Sequence, residues 1–349
     1  MEGKKIHIKF WLIPVLLFPL CRATAQDIHF STIHASPLFL NPAMTGVINA
    51  RGRGIAIARS QWQLNDSGYQ SLLSSADTRL YKGLSGNDDF GLGLQVTTDR
   101  AGDLQLSTTE AAFSVAYLKA LNRQGDHLVS FGLKYALIQQ RLDLNDLKVF
   151  QPDPFFEDPD FVPVFRYFDL SLGLGWFYPV DRRNNLYLGA ALFHLNSQTL
   201  SFERNRTQII PGAYQYRKYV IHGGGTFNLK SGLDLLPSMV IAKQGPHYEM
   251  NVGAYLRLSK GRGMNINNDL ALYAGLWGKV ASPGLNFQRD AIIAAFRVDY
   301  LNFQTSLAFD LTISGYAVAS KGFGGPEFSL IYLLEAPSRK KSRVSCPAF

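Results

Sequence analysis

Short segments of this chain alternate apolar residues with small or polar ones, again and again. Phe168, Leu170, Leu172, Leu174 and Trp176 fall on one parity, and Asp169, Ser171, Gly173 and Gly175 fall on the other. Side chains on a strand point to opposite faces, so this split means one apolar face and one small, polar face. Repeated over most of a long chain behind a secretory leader, the pattern predicts a transmembrane β-barrel. Lipid then meets the apolar face, and the small face lines the lumen.

The leader occupies residues 1–25. Lys4, Lys5 and Lys9 form a charged region, Phe10 to Leu20 an apolar one, and Ala23-Thr24-Ala25 a small-residue cleavage site before Gln26. The apolar run is shorter than the about 20 residues a transmembrane helix needs. Cys21 suggests a lipoprotein site, but Leu20 stands where a small residue is wanted, so an ordinary cleaved leader is expected. Cys346 is then the remaining cysteine, which excludes an internal disulfide scaffold.

Mean hydropathy near zero and the lack of a second long apolar run exclude a helical membrane bundle. Charged residues make up 18% of the chain, while 31 glycines, 24 Phe and 16 Tyr favour strands. The formal charge of +8 falls to about +5 once the leader is removed, and Arg339, Lys340, Lys341 and Arg343 carry four of those charges. The rest is close to neutral, which argues against nucleic-acid binding.

Fourteen strands are expected, at 53–62, 71–80, 90–99, 106–120, 127–142, 166–179, 185–196, 218–229, 233–243, 248–259, 269–280, 290–300, 303–313 and 326–335. The number is even and most segments reach the about ten residues of a tilted crossing. The segments at 185–196 and 269–280 are apolar on both faces, which leaves their orientation open. With both termini periplasmic, connections after odd strands face outward; those at 143–165 and 197–217 are the longest. The organisation expected is a leader at 1–25, a periplasmic or plug segment at 26–52, a barrel at 53–335 and a basic tail at 336–349. Within 26–52, Asn41-Pro42-Ala43 reads either as a turn sealing the periplasmic mouth, the reading favoured here, or as part of a plug.

Catalytic signatures are missing. No GxxxxGK[S/T], HExxH or GxSxG occurs, and the Gly-x-Gly steps at Gly52-Arg53-Gly54 and Gly173-Leu174-Gly175 lack the third glycine of a dinucleotide site. The mature histidines are scattered without metal-ligand spacing. The chain therefore reads as a non-enzyme with no cofactor. Lys134, Asp169, Arg257, Arg297, Asp299 and Asp310 take the inward parity, as paired lumenal charges would, because a lipid-facing charge at mid-depth costs about 2–4 kcal/mol.

Several motifs carry a resemblance. The chain past the leader opens Gln26-Asp27-Ile28-His29-Phe30-Ser31, followed by Asn41-Pro42-Ala43-Met44-Thr45-Gly46, then Arg59, Gln61-Trp62 and Ser75-Ala76-Asp77. Near the other end stand Phe309-Asp310-Leu311-Thr312-Ile313-Ser314, Gly324-Gly325-Pro326-Glu327-Phe328-Ser329-Leu330 and Cys346-Pro347-Ala348-Phe349. In this order they resemble the QDxxFS, NPAxxG, RxQW, SxD, YDxNxS, GGFEISL and CPRF segments of the PorP/SprF family of type IX secretion system membrane proteins. Departures are Ser60 before Gln61-Trp62, Pro326 in the penultimate motif, tolerable at the first residue of a strand, and Ala348 for arginine.

The resemblance implies an outer-membrane barrel that works with the type IX secretion components. It implies a partner that is a secreted surface protein, an adhesin or a gliding-motility protein, bound through its C-terminal domain. Asn41, Pro42, Gly46, Arg59, Gln61, Trp62 and Asp77 are the candidate partner-binding or plug residues. Trp62 also reads as an interface-girdle residue. Phe155 and Phe156, in the acidic, proline-rich loop 151–165, are candidates for an extracellular contact. A passive porin for small solutes is the alternative, since fourteen strands leave room for a channel. A pair of soluble β-sandwiches also remains open, because alternation does not say which face meets lipid.

Overall fold

A computed structural model describes residues 27–334 apart from 63–67, 81–87, 103–105, 122–126, 143–161, 182, 199, 201–214, 260–269, 284–287, 316 and 318–321. The leader, the basic tail, Phe155 and Phe156 lie outside the described residues. Fourteen strands run in chain order: β1 Gly52–Gln61, β2 Tyr69–Leu80, β3 Asp88–Ala101, β4 Leu106–Ala120, β5 Leu128–Arg141, β6 Val164–Pro179 and β7 Asn185–Phe193. They continue with β8 Lys218–Lys230, β9 Leu233–Gln244, β10 His247–Ser259, β11 Ala271–Pro283, β12 Gln288–Tyr300, β13 Phe303–Thr312 and β14 Phe323–Leu334. Each pairs antiparallel with its sequence neighbours, and β1 closes on β14 from Gly52↔Leu334 to Arg59↔Glu327. Closure leaves no unpaired edge, the condition for a sheet to sit in lipid.

The parity of the sequence becomes inside and outside. Leu94, Leu276 and Phe296 are 62%, 62% and 65% exposed on the outer face, a degree of apolar exposure suited to lipid. Their strand neighbours Gln95, Trp277 and Ala295 are buried toward the lumen. Here β7 and β11, ambiguous in sequence, resolve: Ala191 and Phe193 of β7, and Tyr273 and Trp277 of β11, are buried. The expected inward charges pair: Lys134 with Glu110 at 2.8 Å, Arg257 with Asp234 at 3.4 Å, Arg297 with Asp299 at 2.7 Å.

The rim where β1 starts and β14 ends, here the terminal rim, has tight connections at Ser231–Gly232 and Leu301–Asn302. Another, from β6 to β7, is held by Asp181, which accepts the N–H groups of Arg183 at 2.7 Å and Asn184 at 2.8 Å. These donors keep the Asp181 carboxyl below its ordinary value. The opposite, far rim carries the two longest connections, 142–163 and 194–217. Length does not separate the rims completely, since Gly245–Pro246 is a two-residue turn at the far rim and 260–270 is long at the terminal one.

Two expectations change. Pro326 is the fourth residue of β14 rather than its first, and it is tolerated because pairing with β1 stops at Arg59↔Glu327. Second, Asp27 and Leu334 lie at opposite rims. Asp27 contacts Gln244, the last residue of β9, whereas Leu334 pairs with the first residue of β1. The expectation that both ends share one rim fails for Asp27 because the segment ahead of β1 runs back through the lumen. Leu94→Arg is expected to lower the folding stability of the barrel in lipid vesicles by about 2–4 kcal/mol, measured by chemical denaturation.

Candidate functional site

The segment 27–51 fills the lumen. Phe30, Leu38, Leu40, Asn41, Ala43, Met44, Thr45 and Val47 are all at most 4% exposed, in a stretch with almost no regular structure of its own. Three single turns shape it: Ile33–Ala35, Pro37–Leu40 and Pro42–Met44. Pro37 starts its turn with a preset φ, and Asn41, in an extended conformation, ends it. The Asn41 side chain then caps the next turn by accepting from the Ala43 N–H at 2.9 Å, while the Thr45 hydroxyl donates to the Pro42 carbonyl at 2.8 Å. Asn41-Pro42-Ala43 is therefore a turn, but it lies at mid-barrel instead of sealing a mouth, because the glycine wall described next receives it there.

That wall is built from the small parity. Gly132 of β5, Gly173 of β6 and Gly189 of β7 face the turn, and a Cβ on Gly132 would overlap the backbone of Pro42 and Ala43. Gly46, at φ +72°, sits backbone to backbone on Gly91 of β3; a Cβ on Gly46 would come within 2.6 Å of the Gly91 Cα. Asn41 also donates through Nδ2 to the carbonyls of Leu174 at 2.8 Å and Ala190 at 3.3 Å, and meets His222 Nε2 at 3.0 Å.

Two buried carboxylates clamp the segment. Asp77 accepts from the Gly46 N–H at 2.8 Å and, bidentately at 2.9 Å, from Arg53. Glu327 accepts the N–H groups of Ser31 at 2.6 Å and Thr32 at 2.8 Å, and also the Thr32 hydroxyl. Arg59 joins the second clamp: it donates to Asp310 at 2.6 Å and to the His29 carbonyl, and its Nε lies 4.0 Å from Glu327. Apolar contacts complete the fit. Phe30 meets Phe39 edge-on, and His34 stacks on Trp277 at 5.0 Å.

At the far rim Asp27 binds His194 at 2.9 Å and Lys218 at 3.3 Å, and Gln244 Nε2 donates to it at 3.1 Å. Burial opposes its ionisation, but His194 and Lys218 more than offset this and hold the carboxyl well below its ordinary value. Above this latch opens a vestibule of about 580 Å³. Its floor includes Ile28 and His29, and its walls include Gln61, Trp62, Tyr248 and Arg289. Trp62, at φ 52° and edge-on to Tyr69, lines this vestibule at the far rim.

Of the sequence candidates, Asn41, Pro42, Gly46, Arg59 and Asp77 come together as plug and clamps, and Gln61 and Trp62 belong to the vestibule. Arg53, Glu327, His222 and the glycine wall were not singled out as site residues. Part of their signal was present: Glu327 stands within the motifs, Arg53 lies in the Gly52-Arg53-Gly54 step, and the glycines all take the inward parity. Among the described residues no cluster of three or more His, Cys, Asp or Glu side chains could hold a metal ion.

A closed barrel, apolar outside and filled by its own N-terminal segment, is a plugged membrane β-barrel. The chain belongs to the family of the type IX secretion system membrane protein PorP/SprF, which it matches over residues 23–332. No curated protein matches it. Solved structures resemble it distantly. A Pseudomonas aeruginosa FadL homologue is 11% identical, with 86% of this chain and 94% of that one covered and a TM-score of 0.46. The CymD monoaromatic hydrocarbon channel is 10% identical, with 86% and 93% covered and a TM-score of 0.45. CdiB from Acinetobacter baumannii is 10% identical with a TM-score of 0.42; 81% of this chain is covered, and the chain spans 60% of CdiB.

Gly132→Val is expected to displace the plug while the strands persist, so that limited proteolysis cuts within 27–47 in the variant and spares it in the parent. Asp77→Ala leaves Arg53 buried without its carboxylate; a stability loss of about 3–5 kcal/mol in denaturant titration is expected.

Proposed function

We propose that this chain is a non-enzymatic outer-membrane barrel of the type IX secretion system. It binds a secreted partner, such as an adhesin or gliding-related protein, and helps export it or hold it at the surface. The observation that carries this reading is the filled lumen. Segment 27–51 occupies the barrel interior, held to wall carboxylates at both ends of β1, and the vestibule ends on it. Such a barrel offers a partner a mouth with a solid floor. The packing of buried plug residues against the glycine wall at mid-barrel weighs against the passive porin. The vestibule mixes aromatic, amide and charged side chains, a lining suited to polypeptide.

Membership of the secretion family supports a role beside the other type IX components. In the proposed orientation the terminal rim faces the periplasm and the far rim faces outward, because the two longest connections, 142–163 and 194–217, are on the far rim.

Two measurements test this. In planar bilayers the purified protein is expected to show no steady open-channel current, and Gly132→Val to show one; steady current from the parent would support the porin instead. Deleting the gene is expected to remove one specific exported protein from the cell surface with outer-membrane integrity retained. Unchanged display of every exported protein would overturn the secretion role.

A further inference from the structure

The plug runs antiparallel to the strand it precedes. Near the start of β1, Gly46 shares Asp77 with Arg53; toward its end, the carbonyl of His29 receives Arg59. Residues 53 to 59 span about 20 Å along a strand tilted about 40° to the barrel axis, so the plug climbs about 15 Å up the lumen between Gly46 and His29. Asp27 continues to the far rim. Its partners are Gln244 at the end of β9, Lys218 at the start of β8, and His194 directly after β7. Plug and β1 thus form a U with its bend at Val47–Arg51, at the terminal rim.

From this geometry we infer that the N-terminus of the processed chain emerges in the vestibule on the cell-surface side, across the membrane from the end of β14. The inference rests on the orientation proposed above. Removal of the leader after Ala25 leaves one residue ahead of Asp27, too short a stretch to turn back through a lumen that the plug already fills. The N-terminal segment is in effect a fifteenth crossing, made inside the barrel. Its half-buried end lines the vestibule with Ile28 and His29, which are joined through the same segment to the clamp at Glu327 and the turn at Asn41.

The test labels intact cells with a membrane-impermeant maleimide. All variants carry Cys346→Ser, and each has one new cysteine. Ile28→Cys probes the plug end, Gln288→Cys the far rim, and Ser231→Cys the terminal rim. The expected result is a mass shift for Ile28→Cys and Gln288→Cys in intact cells, and for Ser231→Cys only after permeabilisation. If Gln288→Cys labels while Ile28→Cys labels only in the unfolded protein, the inference is overturned and the orientation stands. If Ser231→Cys labels in intact cells and Gln288→Cys does not, the orientation fails and carries the surface assignment with it. Asp27→Cys gives the same readout should Ile28→Cys fail to assemble.

Discussion

The backbone of Asn41 to Gly46 lies directly against strand backbone, and the rest of the interior depends on that contact. A barrel wall made of glycine leaves a void unless something fills it, and an empty space lined by packed atoms forfeits their dispersion contacts. A side chain at Gly132 or Gly91 would close the space and exclude the plug. Because the contact is between main chains, it tolerates little change on either side. It also sets the height of the plug, and through it the positions of both clamps and the floor of the vestibule.

Charge supplies the second constraint. Glu327 is 1% exposed and its nearest cationic nitrogen is 4.0 Å away. Its close partners are two plug N–H groups and the Thr32 hydroxyl. A buried carboxylate without such donors is costly, so wall and plug satisfy one another. Asp77 differs, since Arg53 neutralises it within the wall and the plug adds one N–H. The far-rim end is therefore held by an acid that needs the plug, and the terminal-rim end by an ion pair that merely receives it. This asymmetry makes the two clamps distinct in what their loss would do.

Most of the motifs within the described residues thus converge on one task. Segments far apart in sequence, around Asp27, Asn41, Arg59, Asp77, Asp310 and Glu327, meet around the plug. They fix the interior of the barrel around the plug.

Strand number and the two-faced character of most strands were legible in the sequence, because period-two alternation is a local property of each segment; closure, and with it which face turns outward, rests on the long-range pairing of β1 with β14. Thus β6 and β5 read correctly from their parity, whereas β7 and β11 did not, since Phe193 and Trp277 point inward to pack on the plug and neighbouring side chains and mask the alternation. Asn41, Gly46, Arg59 and Asp77 were visible as candidates, but not their roles. A glycine's sequence position says nothing of which backbone approaches it, and a carboxylate's says nothing of which N–H it accepts. The sequence by itself determined fourteen strand segments, most of them with one apolar and one small or polar face, and with them the expectation of a barrel. Only the tertiary structure decided that the interior is filled by residues 27–51, threaded antiparallel to β1, because that choice rests on contacts up to 296 residues apart in the chain.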